Sequence, residues 1–235
     1  MTLIDDYLSE QIKYEKKYGD NTIVLMQVGH FYEAYGVSND EEKTNSANMT
    51  KLSDIMNIQM TRKNKNIPGN NRHNPLMIGV NIYSIDKYIQ ILLNANYTIV
   101  MISQTSDPPY VKREVTNIYS PGTNIEYSIK GDTNNLVSIF VEEINNQKTN
   151  KNILFIGASS IDLSTGKNIV FETHSNINDK NYALDELFRF IQVYDPKEVL
   201  FTKKNVSISN DKLSNYLELN NRIVHYKDAD DLNKQ

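Results

Sequence analysis

Thr22-Ile23-Val24-Leu25-Met26-Gln27-Val28-Gly29-His30-Phe31-Tyr32-Glu33 changes character halfway along. Its first seven residues are β-branched or apolar apart from Gln27, and such a run reads as a buried strand. Gly29 can bend the chain at its end, after which Phe31 to Tyr35 continues extended. An extended backbone alternates its side chains, so Phe31 and Glu33 share one face and Tyr32 takes the other. One aromatic ring and one carboxylate then point the same way.

Upstream, Leu3, Tyr7, Gln11, Tyr14 and Tyr18 recur at near-helical spacing and Gly19 follows as a stop, which predicts a first helix over 3–18. Downstream, the polar stretch from Asn39 to Asp54, with Met49, Leu52, Ile55 and Met56 three and four apart, predicts a second. No acidic residue occurs between Asp54 and Asp86, whereas Arg62, Lys63, Lys65, Arg72 and His73 all do, in a loop rich in Pro, Gly and Asn. This is the clear cationic segment of the chain. Ser84 is placed to cap a helix with the apolar stripe Ile85, Tyr88, Ile89, Leu92 and Leu93, and Tyr97 to Ile102 resumes as a strand. Asp107-Pro108-Pro109 interrupts the pattern, Val115 to Tyr119 reads as a strand, and the Pro121-Gly122 turn leads to the expected end of a first domain at residue 124.

A second domain is expected over 130–235. Leu136 to Val141, Ile153 to Ala158 and Asn168 to Phe171 predict a three-stranded meander closed by the turn at Gly166-Lys167. A helix follows from about Asn181 to Tyr194, ended by Asp195-Pro196, and then a short strand at Val199-Leu200-Phe201. Meander, helix and strand in that order suit a ribonuclease-H-like α/β layer.

Composition narrows the chemistry. At 235 residues the chain suits two domains of ordinary size. Without cysteine there is no disulfide framework, thiolate zinc site or cysteine nucleophile. The net charge of −4 argues against a polyelectrolyte clamp for nucleic acid. No apolar run approaches the roughly 20 residues that span a bilayer, and the first residues lack a signal-peptide pattern, so an intracellular, non-membrane protein is expected.

Gly29, Phe31, Tyr32 and Glu33 match a Gly-Asp-Phe-Tyr-Glu signature that follows a buried strand in the DNA mismatch-repair MutS family, with His30 in place of the aspartate. Thr61-Arg62-Lys63, Met77-Ile78-Gly79-Val80, Tyr88, Leu92, Gln104, Asp107-Pro108 and Ser120-Pro121-Gly122-Thr123 resemble later motifs of that family in order and spacing. Ile161-Asp162-Leu163-Ser164-Thr165-Gly166 and Pro196-Lys197-Glu198-Val199-Leu200 are similar to its connector domain. The chain departs from the pattern at Asn81, where the family has Pro, and at Asn96, where it favours Gly, a mild change because Asn tolerates the left-handed region. The expected fold class is therefore α/β: a mixed-sheet mismatch-recognition domain over 1–124, then a ribonuclease-H-like connector over 130–235.

The resemblance implies that Phe31 wedges into the minor groove and that Glu33 hydrogen-bonds the displaced base. His30, Arg62, Lys63, Lys65, Arg72 and His73 would contact the phosphate backbone. It further implies double-stranded DNA with mismatches or small loops as ligand, a homo- or heterodimer formed through domains not in this sequence, and a MutL-like partner. ATP and Mg2+ belong to the P-loop ATPase domain of full-length members, so these residues are expected to need no cofactor and to catalyse nothing. Taken singly, Phe31 reads as a core aromatic and Glu33 as an exposed strand carboxylate; the surrounding matches reverse those readings. Two alternatives differ in class: a protein-interaction fragment with little DNA affinity, and a metal-dependent nuclease using Asp162 with Glu142, Asp185 and Glu186. The four histidines show no metal-ligand spacing, so no metal site is expected.

Overall fold

A computed structural model describes residues 2–106, 109–127, 134–147 and 151–229. Asp107 and Pro108, read as a break, and residue 130, the expected start of the connector, lie outside the described residues. The chain forms two compact units, Met1–Pro121 and Gly122–Gln235.

In the first unit, α1 (Leu3–Tyr18) is set at its start by a capping box: the Thr2 hydroxyl accepts from the Asp5 amide, and the Asp5 carboxylate accepts from the Thr2 amide. These bonds, and then Arg72, hold the Asp5 carboxyl down at about 2. Beneath α1 lies a seven-stranded mixed sheet in the order β4-β5-β2-β1-β6-β7, with β3 beside β2. Its strands are β1 (Thr22–Val28), β2 (Phe31–Ser38), β3 (Lys43–Thr44), β4 (Thr61–Arg62), β5 (Leu76–Asn81), β6 (Thr98–Gln104) and β7 (Arg113–Tyr119). Central β1 and β6 run parallel, joined by a connection carrying α2 (Ser46–Met56) and α3 (Ile85–Asn94).

β1 and β2 pair only from Met26 to Val28. Beyond that point α1 replaces the missing strand: Gln11 accepts from the Val24 amide at 2.9 Å and donates to the Thr22 carbonyl at 2.8 Å, while the Tyr7 hydroxyl donates to the Val24 carbonyl at 3.0 Å. Buried backbone groups must find partners, which accounts for a fully buried glutamine on an otherwise apolar helix face.

The helix expected from Asn39 begins only at Ser46. The Asn39 side chain accepts from the amides of Glu41 and Glu42, a local turn that competes with helix, and Lys43–Thr44 then pairs with β2. Ser84 does not cap α3 with its side chain. Its hydroxyl donates instead to the Asn81 carbonyl, and the Asn81 side chain caps the 3-10 turn Ile82–Ser84. Asn57 and Asn96 sit at positive φ at the ends of α2 and α3, where glycine commonly stands, and Asn45, also at positive φ, stands just before α2.

The second unit is a five-stranded sheet in the order β10-β9-β8-β11-β12. Its strands are β8 (Asn135–Asn146), β9 (Lys151–Asp162), β10 (Asn168–His174), β11 (Glu198–Lys204) and β12 (Ile223–Asp228), with helices α4 (Tyr182–Tyr194) and α5 (Asn210–Tyr216). The first three strands are an antiparallel meander, and β8, β11 and β12 run parallel, so only the second strand of the unit opposes its neighbours. That is the expected ribonuclease-H-like order. Val137, Ile139, Val141, Ile156, Val199 and Phe201 form its core with Leu184, Leu187 and Ile191 of α4 and Leu213 of α5. Neither α5 nor β12 is marked by a strong period in the sequence.

Two of the family-like motifs meet in this unit. The Glu198 carboxylate accepts from the Gly122 amide at 3.1 Å and contacts His225 Nε2 at 2.7 Å. A Cβ on residue 122 would lie 2.3 Å from that of Glu198, so only glycine fits there. No described helix is long and apolar enough to cross a membrane.

Candidate nucleic-acid interface

Val28 pairs with Phe31, which leaves Gly29-His30 as a two-residue hairpin turn. Gly29 has φ +59° and His30 is not at positive φ, the pattern of a type II′ turn with glycine first. The His30 carbonyl accepts from the Ile82 amide at 3.0 Å, tying the turn to the end of β5. On its other side, Arg113 Nε donates to the Gln27 carbonyl at 2.8 Å, and the Gln27 side chain accepts from the Gln104 amide at 2.9 Å and donates to the Gly29 carbonyl. In the orientation that turns its oxygen toward donors, the Gln104 side chain accepts from Arg113 Nη2 at 3.1 Å and from the Gly29 amide at 3.2 Å.

Phe31 leaves this turn 44% exposed. Two residues on, Glu33 is half-buried, and two further on Tyr35 is fully buried on the same face. The Tyr35 hydroxyl donates to Glu33 Oε2, so a buried phenol fixes the carboxylate that follows the exposed ring. Tyr35 is itself held by Tyr7, edge-on at 5.1 Å, and by Asn45, which donates to its carbonyl at 2.8 Å. Burial, and then the bond to Glu33, push the Tyr35 hydroxyl far above its ordinary pKa, so it stays a donor at every physiological pH. Tyr32 faces the other way, its hydroxyl bonded to Ser103 at 2.8 Å.

The cationic segment is divided by the fold. Lys63 Nζ lies 5.4 Å from the Tyr35 ring centroid, which brings one expected phosphate ligand beside the Phe31–Glu33 strand. Arg62 donates to the Lys65 carbonyl at 3.0 Å, and Lys65 and His73 are exposed. Arg72 is taken up by carboxylates, with Glu42 at 2.9 Å and Asp5 at 3.0 Å. The guanidinium is half exposed, and surface pairs of this kind are worth only about 0–1 kcal/mol each. Arg113, Gln27 and Gln104 have no role in the sequence-based site, because nothing local marks a side chain that will reach a carbonyl 86 positions away.

The acids weighed for metal chemistry are dispersed. Glu142 pairs with Lys204, Asp185 accepts from Tyr216, and Glu186 pairs with Arg189. Asp162 accepts from the amides of Asn134 and Ser164 and from the Thr165 hydroxyl, the last of which chiefly lowers its pKa. Among the described residues no three His, Asp or Glu side chains gather as a metal would require.

The family description that fits this chain is MutS domain I, which matches residues 8–128, more than half of the sequence and the stretch from Gln27 to Arg113 that carries the turn, Phe31 and Glu33. The chain belongs to the MutS family. A mutS homologue of Acanthamoeba polyphaga mimivirus is 36% identical over 222 residues, covering 93% of this chain and 19% of the viral protein. The DNA mismatch repair protein MutS of Methanosarcina barkeri is 30% identical over 75% of this chain, and that of Thermodesulfovibrio yellowstonii 26% identical over 82%. The chain spans about a fifth of the length of these MutS relatives. A family B DNA polymerase from Pyrobaculum calidifontis aligns with 74% of the chain at 12% identity and a TM-score of 0.24, too loose a likeness to carry an argument.

Proposed function

We propose that the first unit reads duplex DNA for mispaired or unpaired bases, Phe31 entering the minor groove as a wedge and Glu33 hydrogen-bonding the base it displaces. The observation that carries this reading is the exposed phenylalanine on a braced two-residue turn, followed at the next position on the same face by a carboxylate fixed by a buried phenol. Unstacking a base step costs a few kcal/mol, less where pairing is already lost, and that difference in deformability supplies the discrimination. A carboxylate near phosphates is repelled, so its presence favours a specific bond to a base over a contact with the backbone.

Fluorescence anisotropy with matched, mismatched and looped duplexes tests the reading. Glu33→Gln keeps the shape but removes the charge, and is expected to change the mismatch-to-match affinity ratio by roughly 10-fold or more, the scale of one hydrogen bond to a charged group. An unchanged ratio would remove Glu33 from base recognition. Neutralising Arg62 and Lys63 together is expected to weaken all duplexes alike and to flatten the salt dependence, since phosphate contacts position without reading sequence. If discrimination fell while affinity stayed, these two would not be phosphate ligands. His30, Lys65, Arg72 and His73 complete the proposed backbone contacts, Arg72 while also paired with Glu42 and Asp5.

The second unit is proposed as the connector of a MutS-like protein, with dimerisation, a MutL-like partner, and ATP and Mg2+ use belonging to the longer assembly. The first 125 residues carry 12 basic against 13 acidic residues. Affinity of this chain alone is therefore expected to be modest and best measured at low salt.

A further inference from the structure

We propose that Arg113 is the positioning residue of the wedge: its guanidinium clamps the Gly29-His30 turn and so fixes the direction in which Phe31 leaves the sheet. The inference rests on the mismatch-reading function proposed for Phe31.

Three observations lead to it. First, the turn leaves β1 at Val28, and Arg113 Nε bonds the carbonyl of Gln27, the residue just before, at 2.8 Å. Second, with the Gln104 amide turned so that its oxygen faces donors, that oxygen accepts from Arg113 Nη2 at 3.1 Å and from the Gly29 amide at 3.2 Å. One planar group thus holds Gln27, two residues ahead of the turn, and, through Gln104, the first residue inside it. Third, the strand registers connect the parts: Arg113 pairs with Gln104 in β6 and Val28 with Phe31 in β2, so the brace reaches the turn from β7 across β6.

The chemistry requires arginine in particular. A guanidinium offers fixed, diverging N–H donors that can serve a carbonyl and an amide oxygen together, whereas an ammonium on a flexible stem cannot hold the same two bonds in one plane. The Ile82 amide on the His30 carbonyl ties the far side of this turn to β5, and Arg113 ties the side that leaves β1. Unstacking a base step needs the ring to enter at one angle, and a loose turn would spread its approach over many.

The experiment compares Arg113→Lys, Arg113→Ala and Phe31→Ala in the full chain by two readouts. Hydrogen exchange of the DNA-free protein reports the clamp itself: the Gly29 amide is expected to exchange faster in both Arg113 variants, while Val24 and Leu25 in β1 stay protected. Anisotropy reports the consequence: the mismatch-to-match affinity ratio is expected to fall about tenfold in both variants, the scale of losing a hydrogen bond to a charged group. Arg113→Lys is the decisive substitution because it keeps the charge. If Arg113→Ala weakened both duplexes equally and Arg113→Lys restored them, Arg113 would be a phosphate ligand and the proposal would be wrong. Unchanged exchange at Gly29 would overturn it as well, as would faster exchange with an intact ratio while Phe31→Ala abolished that ratio. Should Phe31→Ala itself leave the ratio intact, the function proposed for Phe31 fails, and this inference fails with it.

Discussion

Phe31→Ala is expected to bind matched and mismatched duplexes with nearly equal affinity. Stacking of a base on an aromatic side chain is worth about 1–3 kcal/mol, a factor of roughly 5 to 150 in the binding ratio. Alanine cannot supply that contact, and the ring has no neighbour on its strand to replace it, because Glu33 and Tyr35 are bonded to each other. The protein should remain folded. Phe31 is 44% exposed, so its removal costs the core little, and the thermal transition is expected to move by only a few degrees. Parent-like discrimination in a folded Phe31→Ala chain would count directly against a wedge.

The second large effect concerns stability. Tyr7→Ala should destabilise the first unit by about 3–5 kcal/mol, as removal of a buried aromatic ring does. Tyr7 is fully buried, packs edge-on against Tyr35, and donates to the Val24 carbonyl where β2 no longer pairs with β1. Tyr7→Phe keeps the ring and loses only the hydroxyl, and is expected to cost about 1 kcal/mol. Urea unfolding followed by circular dichroism measures both, and hydrogen exchange at Val24 assigns the loss to this unit. The two sites are coupled, since Tyr7 holds the ring whose hydroxyl holds Glu33. A Tyr7→Ala chain within 1 kcal/mol of the parent would mean that α1 does not close the gap in the sheet.

Most of the elements could be read from the sequence because they rest on short-range periodicity. The helix over 3–18, the strand over 22–28 and the meander of the second unit follow from the spacing of apolar residues. Where local signals conflicted, the reading failed. Asn39 to Glu42 has the charge pattern of a helix, but an asparagine side chain that bonds two amides ahead makes a turn first. β12 and α5 are short and half-buried, and in such segments a repeat of two or of 3.6 has too few residues to stand out. Asn96 is a different case. It departs from the glycine favoured by the family, yet it adopts φ +60°, the conformation that glycine would supply.

The order of residues alone put Phe31 and Glu33 on one face, because side-chain alternation along a strand is a local property with a period of two. It also grouped the cations of the 62–73 segment. Only the folded chain decided that Arg72 pairs with Asp5 and Glu42, that Lys63 lies over Tyr35, that Tyr35 grips Glu33, and that Arg113 reaches the turn. It likewise joined Gly122 to Glu198. These contacts link positions up to 86 apart, and they depend on strand order and register, which arise when whole elements bury their apolar faces together.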